Sequence, residues 1–322
     1  GYIAGNFRLQ KIIDLEKSNA FQEKVLAYPA ITVISNEAPS DTYHYIEITA
    51  IEQLGWRKWK EKKMSLADDW SEMFCGITLP SSLLSIEEQG FHIGIGVATG
   101  ADSIYISPKL KDIIEEDRLL PAINARDLTG DKLNWNGEYL LNPFDEKGNL
   151  VDLSSYPKTL SYLESKKEIL ANRHVAKKSP NKWYRTIDKV KAGLQDTPKI
   201  LIPDISGNSL FFIDEGHFYP LHNLYYITGK DMHQLKLLCS ILMSDFVKKQ
   251  IQEQSNNMNG GYARWQSQNL RKLRIPYIKG ITQEQAAILE DGYDKKNLKL
   301  INDCVTSMIN RMPTIKLPKA PK

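Results

Sequence analysis

What most constrains this chain is the place where its apolar residues change period. Up to about residue 230 they come in short β-branched and aromatic runs, each bounded by turn residues. These are Ala30-Ile31-Thr32-Val33-Ile34, His92 to Ala98, Ile200-Leu201-Ile202, Leu210-Phe211-Phe212-Ile213 and Leu224-Tyr225-Tyr226-Ile227. Runs of that kind make strands. From Leu235 the apolar spacing becomes helical, first to Gln254 and again from Thr282 to about Met312. Strands followed by helices predict an α+β fold.

Local signals refine that outline. Pro39 to Thr42 ends the first strand, and alternation from Tyr43 to Thr49 predicts a second, the two together resembling the edge of a sheet whose remainder is missing. Glycines 94 and 96 mark close backbone approach, and Thr99-Gly100-Ala101-Asp102 reads as a hairpin turn leading to a strand at Ile104-Tyr105-Ile106. A helix is expected after Pro157. Thr282-x-x-Gln285 is a capping box opening one long C-terminal helix, which Pro313 and Pro318 end.

The chain has 322 residues, with 42 Lys+Arg against 39 Asp+Glu, so its net charge of +3 names no partner by itself. At this length it can bury a core without staples. No apolar stretch approaches the roughly 20 residues a membrane-crossing helix needs. Three widely spaced cysteines, 75, 239 and 304, support neither a disulfide framework nor a zinc ribbon. A reducing cytoplasm fits them best. The opening Gly1-Tyr2-Ile3-Ala4-Gly5-Asn6 reads as an expression scar on a chain cut from a longer one.

Most chemistry is missing a part. His217 and His222 are the closest histidine pair, with no cysteine or acidic cluster to complete a metal site. Gly94-x-Gly96-x-x-x-Gly100 is not a phosphate loop. Asp145-x-Lys147 loosely matches a nuclease motif but has the composition of a solvated turn, and Asp204 lacks a following Lys partner. Leu141-Asn142-Pro143-Phe144 lacks the second proline of the N-P-P-(Y/F) loop that holds an extruded adenine. No catalytic residue and no metal ligand is therefore expected.

Basic and aromatic residues do stand together. Lys166 to Lys191 holds nine Lys/Arg against Glu168 and Asp188, with Trp183-Tyr184-Arg185 embedded. Gly261-Tyr262-Ala263-Arg264-Trp265 leads into Arg271-Lys272-x-Arg274. Cations neutralise phosphates while neighbouring aromatic and amide groups pack on sugars or read base edges. The plain alternative is a pair of solvated helix faces.

Several segments, in order, resemble the specificity domain of TaqI-like adenine DNA methyltransferases and related type II restriction-modification enzymes. They are Gly94 to Ile106, Ala125-Arg126-Asp127-Leu128, Tyr139-Leu140-Leu141, Pro157-Lys158-Thr159 with Leu163 to Arg173, and Trp183-Tyr184. Ile202 to Ile205, Tyr225-Tyr226-Ile227 and Gly260 to Arg264 leading to Leu273-Arg274-Ile275-Pro276 follow. Residues 12–34 resemble the last strands of the family's catalytic domain. The resemblance implies residues 1–55 as those strands, 56–76 as a basic linker, 77–280 as a β-rich target-recognition domain, and 281–322 as a C-terminal helix and tail. It implies double-stranded DNA and the missing N-terminal catalytic domain as partners, and no enzyme activity in this part. The longer parent would use S-adenosylmethionine, with Mg²⁺ if it carries a nuclease. The expected DNA contacts are Thr99, Arg126, Lys158, Lys182, Trp183, Tyr184, Arg185, Tyr262, Arg264 and Arg271. Among them Lys158 and Lys182 suit phosphates, Arg126, Arg185 and Arg264 suit bases, and Trp183 equally suits core packing. Half of a type I specificity subunit, or a protein-interaction module, remain alternatives.

Overall fold

The computed structural model describes residues 5–15, 18, 30–63, 80, 82–129, 132–206, 210–254 and 263–312. They fall into two units, Gly1–Thr78 with Gln252–Ala263, and Leu79–Ile251 with Arg264–Lys322.

The first unit is a four-stranded sheet in the order β2-β1-β3-β4, made of β1 (Arg8–Asp14), β2 (Ala30–Ser35), β3 (Thr42–Glu47) and β4 (Lys60–Lys63). The β1–β3 pair is parallel and the other two are antiparallel. Alternation works as expected on β3, where Tyr43 and Tyr45 pack with Leu9 and Ile12. Lys60–Lys63 lies inside the stretch read as a linker, yet it is a paired edge strand, with the Lys62 ammonium 3.7 Å from the Tyr45 ring centroid. The sequence hid it because a strand of Lys and Glu carries no apolar signal; charged residues are what an edge strand tolerates.

In the second unit the strands are β5 (His92–Ile95), β6 (Ile106–Ser107), β7 (Leu119–Ile123), β8 (Leu128–Thr129), β9 (Lys132–Leu133), β10 (Tyr139–Leu141), β11 (Lys199–Pro203), β12 (Ile205–Ser206), β13 (Phe212–Asp214), β14 (Tyr219–Pro220) and β15 (Leu224–Thr228). Two four-stranded sheets result, β14-β7-β10-β6 and β13-β11-β15-β5. A single core joins them. It runs from Val97, Ile104 and Tyr105 through Leu140 and Leu141 to Leu201 and Tyr226, all nearly solvent-free. A Cβ on Gly96 would collide with the Leu221 carbonyl, which explains the glycine read as a close approach.

Three expectations need correction. Thr99 to Asp102 is not a hairpin: β5 pairs with β15 and β6 with β10, in different sheets, and Asp102–Tyr105 is a helical turn. Leu235 to Gln254 is two helices, Met232–Leu242 and Asp245–Gln254, because the Ser244 hydroxyl takes the Val247 N–H and restarts the chain. The long C-terminal helix is likewise two, Gln283–Asp294 and Leu298–Asn310. Lys296 adopts a left-handed φ of 50° and Asn297 caps the second piece. The Thr282–Gln285 capping box is present in both directions. After Pro157 the chain forms three short helices, Pro157–Glu164, Lys167–Asn172 and His174–Lys177.

Candidate functional site

The loop Val97–Asp102 is set by local chemistry. Gly100 has φ +72°, and a Cβ there would meet the Ile187 side chain at 2.6 Å. The Thr99 hydroxyl accepts the Ala101 N–H at 3.0 Å and donates to the Asp102 carboxylate. The side chain of Thr99, expected as a contact, is fully buried. Its work is to shape the loop.

Arg173 ties this loop to the aromatic segment. Its Nη1 donates to the Thr99 carbonyl at 3.0 Å, its Nη2 to the carbonyls of Trp183 (3.0 Å) and Arg185 (2.7 Å), and its Nε to Leu170 (3.1 Å). Tyr105, pushed up to about 12 by burial, keeps its proton and donates to the Tyr184 carbonyl at 2.6 Å. The Tyr184 hydroxyl donates to Val151, and Trp183 packs edge-on against Tyr184 with its rim on the core. Trp183 and Tyr184 are thus half-buried supports; the Lys167 ammonium lies 5.2 Å from the Trp183 ring centroid, and Lys177, Lys178, Lys182 and Lys189 of the same run are exposed. Arg185 donates to the Thr186 carbonyl at 3.3 Å.

A second constellation lies around Arg126. Asn124 and Asp127 form a capping box that fixes the backbone of 125–127. Burial raises the Asp127 carboxyl above its ordinary value. Glu138 then brackets the turn: one oxygen pairs with the Arg126 guanidinium, the other accepts the Asn124 amide at 2.8 Å. Glu138 is 12% exposed and Arg126 65%. Trp135 secures Glu138 by donating to the Ala122 and Glu138 carbonyls. Arg126, Glu138, Asp102, His222 and Asn223 line one open pocket of about 360 Å³.

The remaining expected residues are dispersed. Lys158 is exposed at a helix start whose N–H groups are held by the Glu115 carboxylate. Arg264 pairs with Asp204 at 2.6 Å. Arg271 pairs with Glu87 at 3.3 Å and donates to the Ile93 carbonyl. Tyr262 lies outside the described residues. Sequence reasoning missed Asn124, Glu138 and the bracing role of Arg173. The Asn124-x-x-Asp127 spacing was a usable capping signal; the Arg173 acceptors are backbone carbonyls, which leave no residue-type trace.

Among the described residues no group of three His, Cys, Asp or Glu side chains could hold a metal ion. No helix among them is long and apolar enough to cross a membrane. Asp145 to Asn149 is a largely solvent-exposed turn closed by its own backbone, as its composition suggested, and the Asn142 side chain accepts the Phe144 N–H.

A family model of the TaqI-like C-terminal specificity domain matches residues 120–275. Two curated relatives are similar over nearly the whole chain. The type II methyltransferase M.PaeR7I of Pseudomonas aeruginosa is 35% identical over 94% of this chain and 56% of its own length. The type II methyltransferase M.XhoI of Xanthomonas vasicola is 36% identical over 90% and 58%. The chain therefore spans a little over half the length of these relatives. Among solved structures, a type IIL restriction-modification enzyme, MmeI, in complex with DNA shares the fold. Its TM-score is 0.51 at 11% identity, covering 97% of this chain and 44% of that one.

Proposed function

We infer that this chain, whose residues 120–275 belong to the TaqI-like C-terminal specificity domain family, selects the DNA sequence on which a type II DNA methyltransferase acts. One observation carries the reading: within those residues, an aromatic segment locked to the Thr99 loop by the half-buried fork of Arg173 stands in a run with the exposed lysines 177, 178, 182 and 189, and the Lys167 ammonium lies 5.2 Å from the Trp183 ring centroid. Mobile cations on a rigid support are what phosphate contacts require, since affinity comes from neutralised phosphates and register from their fixed positions.

Within this reading the contact set is Arg126, Lys158, Lys182 and Arg185, with Lys177 and Lys189 added. Trp183 and Tyr184 support it. Arg126 stays although Glu138 pairs with it, because its side chain is 65% exposed, whereas Arg264 (38%) and Arg271 (46%), paired with Asp204 and Glu87, leave it. Methyl transfer to an extruded adenine, with S-adenosylmethionine, is assigned to the longer protein, as is any nuclease with its Mg²⁺. Extruding a base costs a few kcal/mol of unstacking, so a domain that grips the flanking duplex is a mechanical requirement. The sheet of residues 8–63 is read as the closing strands of that catalytic domain. The relatives' names and the exposed Ile31, Val33 and Ile34 of its edge strand support this.

The test is fluorescence anisotropy of the 322-residue chain on a randomised duplex library at two salt concentrations. The reading expects sequence preference with affinity falling steeply with salt. Binding no tighter than millimolar, or binding without preference, ends it.

A further inference from the structure

The pocket around Arg126 has a composition that decides what it can take. It presents one guanidinium against two carboxylates, Asp102 and Glu138, so acidic groups outnumber the arginine. A phosphate is repelled by that balance, whereas a base edge, neutral but dipolar, is not. Of the two carboxylates only one is available. Both Glu138 oxygens are engaged, by Arg126 and by the Asn124 amide. Asp102 is about half exposed and keeps Oδ2 toward the pocket, 3.7 Å from His222 Nδ1.

The amides are spoken for as well. Reading adenine by Asn needs a carbonyl and an amino group presented together. The Asn124 carbonyl accepts the Arg126 N–H and its amino group donates to Glu138; the Asn223 carbonyl accepts the Ala125 N–H. What remains is a fork of donors on Arg126 and an acceptor on Asp102. Guanine offers O6 and N7 as paired acceptors in the major groove, and cytosine offers its N4 amino group as a donor.

We propose that Arg126 and Asp102 read one G·C base pair, Arg126 on the guanine and Asp102 on the cytosine, with Glu138 as a positioning residue that holds the guanidinium in plane. This rests on the DNA-selection reading above and names what one part of the surface reads. Glu138 acts through Arg126 and touches no base. It also ties Arg126 to the capping-box turn through Asn124, so the fork is aimed before DNA arrives.

The experiment measures binding of the 322-residue chain to duplexes varied one position at a time, at constant salt, for wild type, Arg126→Lys, Glu138→Gln and Asp102→Asn. Arg126 is exposed, so Arg126→Lys keeps fold and charge and removes only the fork. It is expected to cut the preference for G·C at a single position by about 5- to 150-fold, with the salt slope unchanged. Glu138→Gln and Asp102→Asn should weaken preference at that same position and no other. Replacing that guanine by 7-deazaguanine should lower wild-type affinity and leave Arg126→Lys nearly unaffected. If Arg126→Lys weakens every duplex equally, or if the position it relaxes prefers A·T, the proposal is overturned while DNA selection stands. If wild type discriminates among no duplexes, DNA selection itself fails and this proposal with it.

Discussion

The Lys199 ammonium lies 2.5 Å from the Asp214 carboxylate, and both side chains are withdrawn from solvent. The two residues face each other across the β11–β13 pair. Asp214 also accepts the N–H groups of Gly216, His217 and Phe218, so one carboxylate closes the turn that follows its strand. Burial pulls Lys199 below the ordinary lysine value, and Asp214 opposes that.

Removing one partner of such a pair is costly because it strands the other. Lys199→Met should destabilise the second unit by about 3–5 kcal/mol. Asp214→Ala should cost more, since three turn N–H groups lose their acceptor as well. Urea unfolding midpoints measure both. A loss below about 1 kcal/mol for Lys199→Met would show the pair to be dispensable.

Arg173 makes a sharper prediction about binding. Arg173→Lys keeps the charge but cannot serve four carbonyls at once, so the Thr99 loop and residues 183–185 should uncouple. Hydrogen bonds to charged groups contribute about 1.5–3 kcal/mol each, and the variant should lose about 2 kcal/mol or more of stability. Duplex affinity should fall with the salt slope unchanged, because no phosphate contact is removed. A reduced slope would instead place Arg173 on a phosphate.

The contrast between Arg173 and its neighbours shows what a sequence can carry. Strands at 200–202 and 225–227 were legible because β-branched and aromatic runs record burial directly. The Thr282 cap was legible because donor and acceptor lie three residues apart. Arg173 was only one of nine cations in a run, since its partners are backbone carbonyls as far as 74 residues away. The Thr99 loop looked like a hairpin because its residues favour turns, and only the pairing of β5 with β15 excludes that. Glu138 gave no signal at all: an isolated acid becomes a bracket only when the fold brings Asn124 and Arg126 beside it.

Glu115 supplies a pH test. Burial pushes its carboxyl up, but the Thr159 hydroxyl and the N–H groups of Lys158 and Thr159 outweigh that and hold it below the ordinary carboxylate range. A carboxylate depressed in the folded state contributes stability above its unfolded value, about pH 4.3, and that contribution is lost as pH falls through the folded value. Glu115→Gln should therefore be less stable than wild type at neutral pH, by about 1 kcal/mol as for other lost helix caps. The gap should close as pH drops below about 4. Denaturation midpoints at neutral and acid pH decide it; an equal gap at both would mean the charge is irrelevant.

Salt dependence separates the cations that face solvent from those already neutralised. Each phosphate contact contributes about 0.9 to the slope of log affinity against log salt. Lys182 is exposed beside the braced aromatic segment, so Lys182→Ala should flatten the slope by about one contact and weaken all sequences alike. Arg271 is different, because Glu87 holds its Nε at 3.3 Å and the Ile93 carbonyl takes its Nη2 at 3.2 Å. A phosphate would have to displace both partners and leave Glu87 facing an anion. Arg271→Ala should leave slope and sequence preference unchanged while lowering stability slightly. A slope that falls for Arg271→Ala and holds for Lys182→Ala would move the DNA-facing surface from the braced segment to the β5 side of the second unit.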